Sequence, residues 1–236
     1  MMGKFSRRSQ AKELMDDLQC NGMELEQTLR ELKTINRLLG GNSVTTSGLE
    51  QLISERPQEL YTIADLGCGG GDMAMLIKKW SSDRGYSSQV IGVDANPHII
   101  NLAKQHARAA EVDVDFRVGN VFDPGFLKQK ADILTCTLFT HHFTNEELIE
   151  LLANFKSVGR LGLVINDLHR HFLAYYSIMG LTALFSRSGM VKNDAPLSVL
   201  RAFSKSDWEK ILKASGVEKF QISWHWAFRW QVICWF

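Results

Sequence analysis

Four glycines fall within five positions at 67–71, directly after the apolar run "LYTIADL" of residues 60–66. Glycine weakens strands and helices alike, because it gives up the most backbone freedom on ordering. Concentrated between a β-type run and a helical stretch, it marks a tight strand-to-helix turn. One or two glycines would satisfy the turn itself. Four point to a ligand that the backbone must approach, with the following helix aiming its N-terminus at it.

The turn opens a regular alternation. "LYTIADL" precedes a helix over 72–81, "QVIGVD" one over 97–109, and "VDVDFRV" a turn. "ADILTCTLF" precedes a helix over 144–155, "RLGLVINDL" the apolar stretch 171–185, and a last helix spans 205–215. Strand and helix in alternation build a mostly parallel sheet covered on both faces. The end, "EKFQISWHWAFRWQVICW", holds two β-type runs with almost no spacer, which reads as an antiparallel hairpin on the sheet edge. It carries four of the six tryptophans, expected to pack into the core. Before Pro57, residues 8–39 read as two helices broken near Cys20-Asn21-Gly22, followed by a short helix over 46–55. The expected organisation is an N-terminal helical cap at 1–57 and an α/β domain at 58–236.

Composition removes several function classes. Lys plus Arg number 27 against 26 Asp plus Glu, a net charge of +1, so nothing favours a nucleic-acid partner. The apolar stretch 171–185 is shorter than the roughly 20 residues a spanning helix needs, so no membrane span is expected. Cys20, Cys68, Cys136 and Cys234 form no CxxC pair, which fits reduced thiols of a cytoplasmic protein and no zinc framework.

A dinucleotide turn would carry a third glycine at the sixth position of G-x-G-x-x-G. Counting from Gly67, that position is Asp72, a carboxylate where a pyrophosphate would bring negative charge. The pattern argues against a nicotinamide oxidoreductase and for a ligand that lacks phosphates or is cationic. Asp94 ends the second strand, where an acid can accept both hydroxyls of a ribose. Pro97 can start the next helix and Asn96 can cap it, which leaves Asp94 for the ligand.

"ADLGCGGGD", "VIGVDANP", "FRVGNVFD" and "DILTCTLFTHH" together resemble class I S-adenosylmethionine-dependent methyltransferases, over residues 60–236. The resemblance implies an α/β, Rossmann-like fold with a seven-stranded, mostly parallel sheet and a reversed last strand. It implies that Asp65 and the backbone of Gly67, Cys68 and Gly69 hold the methionine part of S-adenosylmethionine. Asp94 would bind the ribose and Ala95 would lie beside the adenine. Asn120, where the family usually has Asp, would sit near the adenine amino group with Val121 next to it. Thr137 and Leu138 would lie near the sulfonium, whose charge Asp72 is expected to help neutralise.

For the methyl acceptor, "FTHHF" puts His141 and His142 past the fourth strand, and "NDLHRHF" puts Asp167, His169, Arg170 and His171 past the fifth. His169 and His142, one per loop, with His141 beside them, are the expected catalytic groups for a phenol or enol. Magnesium prefers carboxylates, and these loops offer only Asp167, so no metal is expected. The fourth strand leads into neither a Pro-Pro aromatic motif nor a Pro-Cys nucleophile, which demotes nucleic-acid acceptors. An apolar lid at about 168–203 is expected to cover a lipophilic small-molecule acceptor with Tyr175, Tyr176 and Met179. Arg170 and Arg201 would steer its acidic group.

"SRRSQAKELMDD", "LKTINRLLGG", "INDLHRHFLAYY" and "NDAPLSVLRAFSKSDW" are similar to a bacterial subgroup related to the ubiquinone/menaquinone-biosynthesis methyltransferases. Its members are often associated with type III polyketide synthases. That similarity implies O-methylation of a phenolic or pyrone-like lipid in secondary metabolism. C-methylation of a quinone precursor and a non-catalytic cofactor-binding protein are the alternatives. The oligomeric state stays open, a homodimer being one option.

Overall fold

The computed structural model describes every residue except Met1, Pro124 and Lys128. Its strands are β1 (Tyr61–Leu66), β2 (Ser88–Asp94), β3 (Asp115–Val118), β4 (Ala131–Thr137), β5 (Gly159–Leu168), β6 (Lys219–His225) and β7 (Arg229–Trp235). The helices are α1 (Gly22–Leu38), α2 (Gly41–Glu55), α3 (Asp72–Asp83), α4 (Pro97–Ala109), α5 (Asn145–Val158), α6 (Phe172–Phe185), α7 (Gly189–Arg201) and α8 (Lys205–Ala214). All seven strands join one sheet in the order β3-β2-β1-β4-β5-β7-β6. β1 to β5 pair in parallel, and β7 runs antiparallel to both its neighbours.

The near-continuous apolar strands are those of a sheet buried on both faces. Side chains of β1 alternate between two cores: Ala64 and Leu66 on one face, Tyr61 and Ile63 on the other. α5 and α8 supply Leu148, Leu152, Phe155, Trp208 and Ile211 to the first core. α2, α3 and α4 supply Leu49, Leu52, Met73, Ile77 and Ala103 to the second. α5 starts where Thr144 and Glu147 cap each other's backbone reciprocally. Among the described residues, no helix is long and apolar enough to cross a membrane.

Four expectations are corrected. The helix expected just after residue 8 does not form; Leu14–Asp16 makes a single 3₁₀ turn in an otherwise irregular strap. α2 begins at Gly41, five residues before 46, and packs on the sheet face, so it is a layer of the α/β sandwich rather than part of a cap. α7 lies in the segment expected only as an apolar lid, and it is helical although Gly189 and Pro196 discourage a helix. It forms because Ser188 caps it and Val191, Ala195 and Val199 recur on one buried face. In the C-terminal hairpin Trp230 is buried, while Trp224 and Trp226 are exposed.

Candidate active site

From β1 the chain winds outward through β2 and β3, then returns to the other side of β1 as β4. At such a reversal the carboxyl ends of adjacent strands part and leave a crevice. Here it is a cleft of about 1270 Å³. Asp65, Gly67, Cys68, Gly69 and Asp72 line it from the first turn. Asp94, Ala95, Asn120 and Val121 line it from the second and third strand ends, and Thr137 and Leu138 from the fourth.

The glycines divide into two roles. A Cβ on Gly67 would lie 2.0 Å from the Phe139 ring, and one on Gly71 would lie 2.6 Å from Phe116. Both residues have positive φ, so they serve the turn and the packing beneath it. Gly69 also has positive φ, yet its Cβ would meet nothing nearer than Leu29 Cδ2 at 3.9 Å. The space above Gly69 belongs to the cleft. The loop is braced from outside by His106, whose Nδ1 lies 3.0 Å from the Gly70 carbonyl oxygen.

Asp94 accepts from the Gly69 amide at 3.1 Å and from the Asn96 amide at 3.0 Å, so it ties the first turn to the second. Burial pushes its carboxyl up, partly offset by these bonds. Asn96 caps α4 through the amides of His98 and Ile99. Asn120 Oδ1 accepts from the Phe122 amide at 3.1 Å, closing a local turn at the cleft rim. Thr137 shares a hydroxyl contact with Thr45 of α2 at 2.9 Å. Asp72, at the start of α3, is already paired: Lys33 of α1 reaches it at 2.6 Å. Its charge is therefore already met by a cation from the roof of the cleft.

Asp65 is fully buried, and its Oδ1 accepts from Thr135 Oγ1 at 2.7 Å. Its Oδ2 has no hydrogen-bond partner among the described residues. Burial raises its pKa to about 7, with Thr135 opposing and nearby Asp94 adding to the rise. A buried carboxylate oxygen without a partner is costly unless a cation or donor meets it.

Opposite the glycine turn, the loop after β4 carries two histidines, each held by a carboxylate. His141 Nδ1 lies 2.7 Å from Asp167 Oδ1, and His142 Nδ1 lies 2.6 Å from Asp16 Oδ1. Burial pushes Asp167 up, but His141 and Thr140 outweigh it and hold the carboxyl well below its usual range. Burial likewise opposes ionisation of Asp16, and hydrogen bonds from His142 and Arg201 overcome it. An ionised carboxylate only accepts, so each Nδ1 carries the proton and each Nε2 is left for other work. Arg201 donates to the His141 carbonyl at 3.1 Å and to Asp16 at 2.6 Å, so it holds the loop and the strap together. Arg8 donates to the Phe143 carbonyl at 2.8 Å and to the Arg201 carbonyl at 2.7 Å. Glu13 of the same strap is buried, its Oε2 accepting from Ser198 Oγ at 2.9 Å. Burial raises Glu13 to about 7, against the pull of His142 and Arg201.

Five sequence choices lie outside the cleft lining. His169 packs edge-on against Trp230, and its Nδ1 accepts from Trp224 Nε1 at 3.2 Å. Burial lowers its pKa to about 4, with His171 and Arg170 adding to the fall. It is a neutral hairpin-packing residue. Arg170 is buried on the Ala202 carbonyl at 2.6 Å and Asp207 at 2.8 Å, so it clamps α7 to α8. Tyr175, Tyr176 and Met179 sit on the other faces of α6; Ala174, Ser177, Ile178 and Leu181, at i, i+3, i+4 and i+7, face the cleft instead. Apolar residues all round α6 concealed that choice. Conversely, Arg8, Glu13 and Asp16 were not singled out. Their charges stand in "SRRSQAKELMDD", but no local pattern says that this segment crosses a cleft built about 130 residues later.

A family model described as "Methyltransferase domain" matches residues 63–162. The ubiquinone biosynthesis O-methyltransferase of Coxiella burnetii (strain RSA 493 / Nine Mile phase I) is 26% identical over 148 residues, covering 61% of this chain. The chain spans 58% of that relative's length. Among solved structures, the plantazolicin methyltransferase BpumL, in complex with a triazolic desmethylPZN analog and SAH, has a TM-score of 0.66 at 14% identity. The match covers 90% of this chain and 89% of that one. Magnesium protoporphyrin IX methyltransferase (ChlM) from Synechocystis PCC 6803 with bound SAM has a TM-score of 0.56 at 14% identity, covering 94% and 88%. S-adenosylmethionine is the cofactor to which the cleft is matched, and its chemistry fits the residues present. The unpartnered Asp65 oxygen suits an ammonium, the open side of Gly69 leaves room, and no phosphate has to be accommodated beside Asp72. Strand order, glycine turn and matched domain agree: residues 63–162 match a methyltransferase domain, and the fold around them is similar to that of solved S-adenosylmethionine-dependent methyltransferases.

Proposed function

We propose that the protein methylates a hydroxyl of a small lipophilic acceptor, a phenol or enol of secondary metabolism, in the cytoplasm. One observation carries the reading: a single cleft joins the Asp65 and Asp94 edge to the His141–Asp167 and His142–Asp16 pairs beside an apolar wall of α6. S-adenosylmethionine supplies a methyl carbon made electrophilic by a positive sulfur. Asp94 receives the ribose hydroxyls, Asp65 the ammonium, and Asn120 the adenine edge. Thr137 and Leu138 border the reacting centre. On transfer of that methyl group the acceptor oxygen would give up its proton to Nε2 of His141 or His142. The His141/His142 cluster is the group that activates the acceptor for that step. Ala174, Ile178 and Leu181 match an apolar acceptor, and the absence of basic excess supports a small molecule over nucleic acid. The free thiols support a reducing compartment.

Methyl transfer to alkylphenols and pyrones, read by mass spectrometry, tests the activity. His142→Ala is expected to lower turnover about 10²-fold while cofactor affinity stays the same. His169→Ala is expected to turn over within about twofold of the parent, since His169 packs on the hairpin outside the cleft lining. Equal losses in both variants would sink the assignment of the cluster.

Asp65 also makes cofactor affinity pH-dependent. Its carboxyl is half-ionised near pH 7 without ligand, whereas an ammonium needs the anion. Affinity for S-adenosylhomocysteine is expected to rise about tenfold from pH 6 to pH 8, and to lose that slope in Asp65→Asn. For the ligand-free fold the sign is opposite. A carboxyl whose folded pKa is raised favours folding below its unfolded value of about 4, and that contribution is lost as pH climbs through about 7. Calorimetric titration at both pH values checks the first effect, and thermal denaturation the second.

A further inference from the structure

The strap brings a third ligand-type group to the two histidines. Glu13 and a ring nitrogen from each of His141 and His142 lie within 4.8 Å of one another. Sequence reasoning found too few acids near these histidines for a metal, because Glu13 stands 128 positions before His141. The fold removes that objection.

Two observations point the same way. The Glu13 side chain is only 4% exposed, and its Oε1 lies 3.7 Å from His141 Nε2. That oxygen has no hydrogen-bond partner among the described residues, a state buried carboxylates avoid unless an ion or water completes them. Arg201 Nε, at 3.6 Å, is beyond hydrogen-bond reach of it. Second, both imidazoles are held at Nδ1 by an acid, Asp167 for His141 and Asp16 for His142. That is the outer-shell arrangement which fixes a metal-ligating histidine with Nε2 as the lone-pair donor.

We propose that Glu13, His141 and His142 form a site for a divalent first-row transition-metal ion of the zinc class, with an open coordination position toward the cleft. Two imidazoles and one carboxylate suit zinc and its neighbours; magnesium, which favours oxygen ligands and keeps its water, is the poor match. Tetrahedral bonds of about 2.0–2.1 Å place ligand atoms roughly 3.3 Å apart, so the 3.7 Å between Glu13 and His141 closes with a small side-chain shift. All three residues line the same cleft as Asp65 and Asp94. The ion's role there rests on the methyl-transfer reading: it contacts the acceptor oxygen and lowers its pKa, so that the acceptor reacts as an oxyanion with its proton released to water. The imidazoles then act as ligands rather than proton acceptors. The site itself does not depend on that reading.

The test is titration of tag-free, chelator-treated protein with Co²⁺, followed by visible absorption, with Zn²⁺ as competitor. S-adenosylhomocysteine calorimetry is run on the same samples. One Co²⁺ per chain, displaced by Zn²⁺, is expected in the wild type. Glu13→Gln, which keeps the side-chain shape, and His142→Ala are each expected to weaken it more than about 100-fold while retaining S-adenosylhomocysteine binding, which shows that they fold. Asp16→Asn is expected to weaken it about 10–100-fold through His142. Absence of Co²⁺ binding by the wild type, or equal binding by Glu13→Gln, overturns the site. Wild-type protein that binds Co²⁺ as expected but not S-adenosylhomocysteine supports the site and removes the methyl-transfer reading instead.

Discussion

Asp94→Ala is expected to weaken S-adenosylhomocysteine binding about 10³-fold, with the global fold retained. Hydrogen bonds to a charged partner contribute about 1.5–3 kcal/mol each, and a ribose offers two hydroxyls to this carboxylate. Their sum, about 3–6 kcal/mol, corresponds to roughly 10²–10⁴ in affinity. The substitution also releases the Gly69 and Asn96 amides, which Asp94 holds at 3.1 and 3.0 Å, so the glycine turn loses its tie to β2. Asp94 contributes little to the core otherwise, and Asn96 still caps α4. Calorimetry of the variant checks the result; affinity within threefold of the parent would remove the ribose role.

The second large effect falls on stability. Gly67→Ala places a methyl group 2.0 Å from the Phe139 ring at a φ of +66°. Left-handed backbone costs an L-residue about 1–2 kcal/mol, and overpacking a well-filled site adds about 1–3 kcal/mol. A loss of about 3 kcal/mol lowers Tm by roughly 10 °C in a chain of this size. Gly69→Ala is the contrast. Its φ is +51°, but the added methyl meets only Leu29 at 3.9 Å, so the stability loss is about 1 kcal/mol. The methyl projects into the cleft, and the expected damage is to cofactor affinity. Thermal denaturation beside calorimetry separates the two; similar Tm values for both variants would contradict the division of the glycines.

That division was not legible in the run of glycines alone. Sequence reasoning gave all four to the ligand, whereas Phe139 fills the space at Gly67 and Phe116 that at Gly71. Phe116 lies within β3 and Phe139 just past β4, and nothing in the spacing of 67–71 announces them. Likewise nothing in the sequence around Asp72 announces its partner Lys33, which α1 brings to the cleft lining.

What the sequence by itself determined is what short-range physics carries. Period-two and period-3.6 apolar patterns set the strands and helices from β1 onward, α7 excepted, and Asn96-Pro97 set the start of α4. Crossover geometry then makes a parallel sheet whose carboxyl edge holds Asp65, Asp94 and Thr137. Only the tertiary structure decided which acceptor-side groups meet. His169 and His141 look equivalent as loop histidines, yet one is claimed by Trp224 and the other by Asp167. Every face of α6 is apolar, so its angle about its own axis, and with it the choice of Ile178 over Tyr176 for the cleft, is set by the neighbours it packs against. The strap from Arg8 to Asp16 has only the 3₁₀ turn at Leu14–Asp16 of its own to read. Long-range contacts to Arg201, His142 and Asp194 hold it, and those contacts exist only once the sheet has brought them to one edge.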